Sequence, residues 1–345
     1  MARGREQLLR VDNPVLGLNT ASPEHSLPPK AWRVAHNVVF QHGSVRNAPG
    51  WTRFANAAGG DDTPALLILP QSDSEGLERV IVATGRTFYE LLATGTLSAL
   101  SGGPFNADLD NRWQADSFGN TIYAANIGDV IQSIAPGATT VAALANAPKA
   151  RHLIQFEGHL LTGAVVTTSA DYQALMGSGY DGVGTGFEDW NDADPTSDAG
   201  LWEIPEGGGP IVGLLRNGGY ALVQKETTSL LASYVRLPYV YQFTELPQKV
   251  GQFTPFSAAD CSEAGVAFVS RNGFHRLDAG GGVTNIGERV ARAWLEDLIY
   301  ADRQRTYAAA LKERREFILA YSSLAAGAGP FGRAMIWDWA EDAYS

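Results

Sequence analysis

The chain has 345 residues, 45% apolar and 18% charged, so it can build a sizeable core, and a disordered chain is excluded. A formal net charge of −11 argues against tight wrapping of nucleic acid, whose phosphates are held by Lys and Arg. The single Cys261 excludes an internal disulfide framework and a cysteine-based zinc site, and neither a secretory apolar segment nor a membrane-spanning run is expected.

Residues 1–30 read as an extended N-terminal arm. Leu8, Leu9, Val15, Leu16 and Leu18 are apolar but keep no sustained period, and Pro14, Pro23, Pro28 and Pro29 block a continuous helix. Such an arm packs along its own domain or reaches a neighbouring subunit, which makes these five leucines and valines candidate inter-subunit contacts. Residues 31–40 and 44–54 bracket a Gln41-His42-Gly43 turn and predict a β-hairpin, placed by topology beside the C-terminal strand, where it would close a ring.

From residue 63 a pattern recurs: an apolar strand, a tight polar or glycine turn, a stronger apolar strand, then one or two more. The central turns fall at Gly76, Gly119-Asn120, Glu157-Gly158, Asn217-Gly218-Gly219, Gly265 and Glu313–Arg315. From Gly76 to Arg314 the chain runs 238 residues over five intervals, about 48 per unit, the period of a four-stranded propeller blade. The clearest unit is 257–288, read as four short strands with Asn272-Gly273 as the hairpin turn. The expected fold is therefore all-β: a β-propeller of about six blades over residues 31–345. Two segments break the rhythm. Residues 167–209 predict a long Gly- and Asp-rich insertion. Residues 288–305 predict a helix, with Val290, Trp294 and Leu298 at i, i+4 and i+8. Trp294 and Leu298 join the candidate inter-subunit contacts.

Chemistry-bearing patterns are thin. Gly177, Gly179 and Gly182 match G-x-G-x-x-G without the strand and helix that a dinucleotide needs, and read as loop. Asp189, Asn191, Asp192 and Asp194 lack the Gly and Glu of a calcium loop; a solvated acidic loop is expected, with an irregular cation site as the alternative. His152 and His159 flank one turn without a third ligand and read as strand histidines. Nucleophile-elbow, zincin and P-loop patterns are absent. The eight tryptophans read mostly as wedges between twisted sheets, with sugar stacking as the other use. No catalytic residue, cofactor or metal is expected, and the chain is read as a non-enzyme.

Four stretches resemble a known family. They are LGLNTASPEHSLPPKAWRVAHNVVFQHGSVRNAPGWTRF, FEDWNDADP with the turn after it, PIVGLLRNGGYALVQKETTSLL and SEAGVAFVSRNGFHRLDAGGGVTNIGERV. Together they cover roughly 15–54 and 185–290, and they are similar to the β-propeller tail nozzle or tail hub proteins, also called head-to-tail stabilisation proteins, of short-tailed bacteriophages. The chain is shorter than that pattern, and its first unit, 63–101, is thin.

The resemblance implies a virion structural protein. It would be made in the host cytoplasm and built into the tail as a homohexameric ring below the portal and adaptor. Tail fibre or spike proteins would be further partners, with viral DNA passing through the lumen without sequence-specific binding and no membrane contact. Six copies would carry a formal charge of about −66, six times −11, and a lumen of that sign would repel phosphate. Two other readings stay open. One is a carbohydrate-binding or carbohydrate-cleaving propeller with the 167–209 loop and Trp190 at the ligand. The other is a plain propeller scaffold for protein partners.

Overall fold

Short strands joined by tight turns cannot bury their apolar faces singly, and the chain solves this by stacking like units. A computed structural model describes residues 15–41, 43–48, 56–57, 64–72, 75–167, 169–181, 186–204, 207–327 and 331–345. Leu8, Leu9, Trp51 and Gly182 lie outside these. The described residues form a β-propeller of successive four-stranded antiparallel units.

Unit one holds Leu67–Ser72, Glu78–Ala83, Phe88–Leu91 and Thr96–Ala99, with Asn56–Ala57 added in parallel on its outer edge. Unit two holds Gln114–Phe118, Thr121–Asn126, Asp129–Ile134 and Ala142–Ala143. Unit three holds Lys149–Phe156, His159–Val166, Ala170–Gly177 and Gly200–Glu203, and meets unit two through one bridge, Val130 opposite Lys149. Unit four holds Ile211–Asn217, Tyr220–Lys225, Ser229–Arg236 and Val240–Glu245. Unit five holds Ala258–Asp260, Val266–Ser270, Gly273–Leu277 and Val283–Asn285. Unit six holds Tyr307–Leu311, Glu316–Tyr321, Arg333–Asp338 and Ala343–Tyr344.

All six expected central turns join the first and second strands of these units. At Glu157 and Gly158 both φ values are positive (50° and 82°), and likewise at Gly119 and Asn120 (54° and 66°). Such turns carry the right-handed twist of a two-residue hairpin. Pro70 lies in the first strand of unit one, which pairs only with the second, so its missing N–H breaks no ladder.

The core lies in wedges between neighbouring sheets. Phe88, Phe105 and Trp113 meet edge to face between units one and two, with ring centres 4.8–5.5 Å apart. Leu161, Leu175, Leu214 and Val223 fill the wedge between units three and four. Phe274, Trp294, Phe317 and Trp337 fill that between units five and six. At full burial such a Leu or Phe side chain contributes about 1.5–3 kcal/mol relative to exposure. The seam between units six and one is polar instead. The Arg112 guanidinium donates to Arg305 O (3.2 Å) and lies over the rings of Tyr307 and Phe331, and Arg305 pairs with Asp110 (3.1 Å).

Four expectations need correction. The segment 167–209 is not wholly an insertion, because Ala170–Gly177 and Gly200–Glu203 are outer strands of unit three and only the loop between them is extra. The helix is shorter than 288–305: α1 covers Ala291–Asp297 and a 3-10 turn covers Tyr300–Arg305. It breaks because Leu298 bridges Ser323 and Ile299 N donates to Ser322 O, so the chain leaves the helix to pair with unit six. The hairpin Val38–Gln41 with Ser44–Asn47 pairs only with itself, beside the outer strands of unit six, and does not enter that sheet. In unit five the turn centre is Arg271-Asn272, because Ser270 pairs with Gly273. Among the described residues no helix is long and apolar enough to cross a membrane.

Candidate functional site

The first strands of all six units face a common axis. A cavity of about 200 Å³ on that axis is lined by Leu67, Gln114, His152, Leu214, Ala258 and Tyr307, one from each unit. The Gln114 amide donates to Leu153 O (3.0 Å) and Leu214 O (2.8 Å), which orients its Oε1 toward His152 Nδ1 (2.8 Å). His152 Nδ1 therefore carries the proton, and its buried Nε2 is a bare acceptor. Burial, with the Arg151 charge adding to it, pulls His152 down to about 3, so the ring is neutral. Gln252, whose amide donates to Val212 O and Thr254 O, likewise leaves a bare Oε1. The axis is thus plugged by side chains and polar only in spots.

The larger concavity, about 740 Å³, opens on the face that carries the central turns. Its walls come from three units. Phe118 ends the first strand of unit two, Glu157 and Gly158 form the turn of unit three, and Tyr234 and Arg236 end the third strand of unit four. Tyr180 and Asp198 come from the loop between the outer strands of unit three. That loop is fixed from beneath. Trp190 is buried, donates to Phe187 O (2.7 Å), and packs with Phe187 against unit two. Asp181 N donates to Gly158 O, and Gly186 N donates to Asp181 (2.8 Å). Tyr180 covers Gly158 so closely that a Cβ there would fall 2.3 Å from its ring. Its own ring is 60% exposed.

Below the groove floor lies His159, its ring centre 5.6 Å from Tyr180, 5.2 Å from Tyr234 and 5.9 Å from Tyr241. His159 Nδ1 donates to Ser178 O (2.9 Å), so Nε2 is again a bare acceptor; Tyr241 Oη is also buried without a partner. Burial holds His159 below its ordinary value, opposed by the Ser178 hydrogen bond and by Asp198 and Glu157. Burial raises Tyr234 and Tyr241, and the charges of Asp198 and Glu157 push the same way. Both carboxylates therefore act on the same three rings.

The sequence candidates fall as follows. Leu16 is exposed, and Leu18 packs on the core of units five and six beside the last strand, where its N–H donates to Tyr344 O (2.8 Å). Val15 is half-buried. Trp294 and Leu298 are buried within this chain's own core, so a neighbour on this helix would meet Arg292, Leu295 and Glu296 instead. His152 and His159 do not face each other: their partners across the hairpin are Gly163 and Phe156. The acidic loop spends its oxygens locally, Asp189 on Asn191 N and Asp194 on Thr196 N. Among the described residues no three metal-ligating side chains converge. Trp113, Trp190, Trp294 and Trp337 are wedge residues. Sequence reasoning missed Tyr180, Tyr234 and Glu157 as a group, since they converge only when units three and four pack.

No protein-family model matches the chain, and no curated protein does. Among solved structures it is similar to PorZ, a surface component of the type-IX secretion system of Porphyromonas gingivalis. The identity is 15% and the TM-score 0.47, over 83% of this chain and 33% of that one. It thus spans about a third of PorZ's length. It is also similar to virginiamycin B lyase from Staphylococcus aureus with quinupristin, at 11% identity and TM-score 0.47 over 76% and 79% of the two chains. A third is YCF48 bound to D1 peptide, at 11% identity and TM-score 0.46 over 82% of each.

Proposed function

We propose that the chain is a non-enzymatic subunit of the tail nozzle of a short-tailed phage, assembling as a homohexameric ring below the portal and adaptor. The reading rests on the four stretches that resemble that family and on where they lie. Residues 15–33 run along units five and six, 210–231 open unit four, and 262–290 build unit five up to α1.

The observation that carries it furthest is the seat of the N-terminal segment. Leu18 donates to Tyr344 O on the outermost strand of unit six, Thr20 donates to Arg289 O, and Leu18 and Trp32 form a bridge. The segment is thereby anchored at the rim of the propeller, along the outer strand of unit six. Exposed Leu16, Leu295 and Leu77 give the surface apolar positions that an assembling subunit would cover. An acidic chain of net charge −11 suits a wall past which DNA slides without sticking.

The test is co-sedimentation with the portal–adaptor complex encoded by the same genome. The full chain should sediment with the complex. A chain lacking residues 1–20 should keep its folded far-UV spectrum and lose that association. Equal co-sedimentation of both chains would remove the role of the arm. No co-sedimentation of the full chain would remove the proposal.

A further inference from the structure

The groove between units three and four is not used by the nozzle reading, and its chemistry is particular. Some acidic side chains elsewhere on the described surface sit opposite basic ones, as Asp116 does with Arg216 (2.6 Å), Glu226 with Arg271 (2.9 Å) and Asp260 with Lys312 (2.6 Å). In the groove, Glu157, Asp181, Asp198 and Arg236 share one concavity; Asp181 is engaged by Gly186 N, while Glu157, Asp198 and Arg236 form no ion pair among the described residues. Between them stand the exposed Tyr180 ring and the half-buried Tyr234. Beneath lie two polar atoms without partners, His159 Nε2 and Tyr241 Oη, on side chains more than nine-tenths buried.

A ligand of single charge would be attracted by one part of this set and repelled by another. A neutral ligand rich in hydroxyls is served by all of it. Carboxylates accept from hydroxyls, the guanidinium donates to them, and a tyrosine face stacks on the C–H face of a sugar ring. At about 740 Å³ the groove also falls within the ordinary size of ligand sites. The geometry points to this groove as a binding site for a neutral glycan, with Tyr180 as the stacking platform and Glu157, Asp198 and Arg236 as its hydrogen-bonding partners. Trp190 is buried against Phe187 and so is not the platform. The site binds; no bond-breaking step is assigned to it.

The experiment is a screen of the full chain against immobilised neutral and charged oligosaccharides, followed by calorimetry on the best hit. Wild-type protein should bind a neutral oligosaccharide. Tyr180→Ala should weaken it about tenfold, and Asp198→Asn and Arg236→Gln should each weaken it as well. All three positions are partly or fully solvent-facing, so the variants should melt with the parent, which a thermal scan checks. Conservative Tyr180→Phe should keep most of the affinity, because stacking needs the ring and not the hydroxyl. No neutral glycan bound at millimolar concentration would overturn the assignment. So would binding confined to cationic ligands, lost in Asp198→Asn and kept in Arg236→Gln. Because this assay needs no portal or adaptor, its outcome is independent of the nozzle test.

Discussion

Unit six and unit one are built from opposite ends of the chain, and among the described residues no strand is exchanged between them, so the seam between those residues depends on side chains. Arg112 is its centre. Its Nε donates to Leu109 O (3.1 Å) and its Nη2 to Arg305 O (3.2 Å), while the guanidinium carbon lies 5.1 Å from the Tyr307 ring centre and 4.7 Å from that of Phe331. Hydrogen bonds from a charged donor contribute about 1.5–3 kcal/mol each, and each cation–π contact about 0.5–2 kcal/mol. Against this stands desolvation, which brings the group from 12.5 down to about 10, a cost of roughly 3 kcal/mol. The balance favours the native seam, and Arg112→Ala should destabilise by about 2–4 kcal/mol. Arg112→Lys should recover only part, since an ammonium cannot span both carbonyls while lying flat between two rings. Urea unfolding measures the loss. Amide exchange locates it: protection should fall first in Leu67–Ser72 and Tyr307–Leu311, and last in Ile211–Asn217 across the ring. A change within about 0.5 kcal/mol, the range of a neutral surface substitution, would refute the reasoning.

Three further outcomes follow from particular residues. His152 has its folded value depressed from 6.5 to about 3, so the unfolded chain binds the extra proton. Its contribution is complete above the ordinary value and is lost as pH falls from 6.5 toward 3, by as much as about 5 kcal/mol, and His152→Gln should flatten urea midpoints over that window. Gly265 has φ +82°, and a Cβ there would lie 2.1 Å from Leu277 O. Gly265→Ala should therefore lower stability by about 1–3 kcal/mol or more, read as a drop in melting temperature. Cys261 is buried, and burial lifts its thiol to about 12; a thiol reagent at neutral pH should label it only after unfolding, and rapid native labelling would contradict its burial.

The repeat was legible because units one to five each place a glycine where the chain must reverse between their two innermost strands, while unit six marks the reversal only by the charged run Lys312–Arg315. Gly119-Asn120 and Glu157-Gly158 show why: the turn demands positive φ at two successive residues. Gly273 was legible for the wrong reason. It is not the turn centre; its missing Cβ makes room for Ala291 of α1, which would stand 2.5 Å away, and a tertiary approach of that kind leaves no local signature. Ala170–Gly177 was hidden because its first half is exposed and polar and its second half buried, so neither alternation nor an apolar run marks it. The amphipathic stripe of Val290, Trp294 and Leu298 was a correct sign of burial, but sequence alone could not say whether a neighbour or the chain's own core would cover it. The groove was illegible for the same reason. Phe118, Glu157, Tyr180, Asp198 and Tyr234 span more than a hundred positions, and only the packing of three units gathers them.

The account's central claim is that this propeller is a building block of a sixfold ring. Native mass spectrometry of the full chain mixed with its portal–adaptor complex tests that most directly. Six copies bound per complex is the predicted result; a chain that stays monomeric beside the intact complex would contradict it.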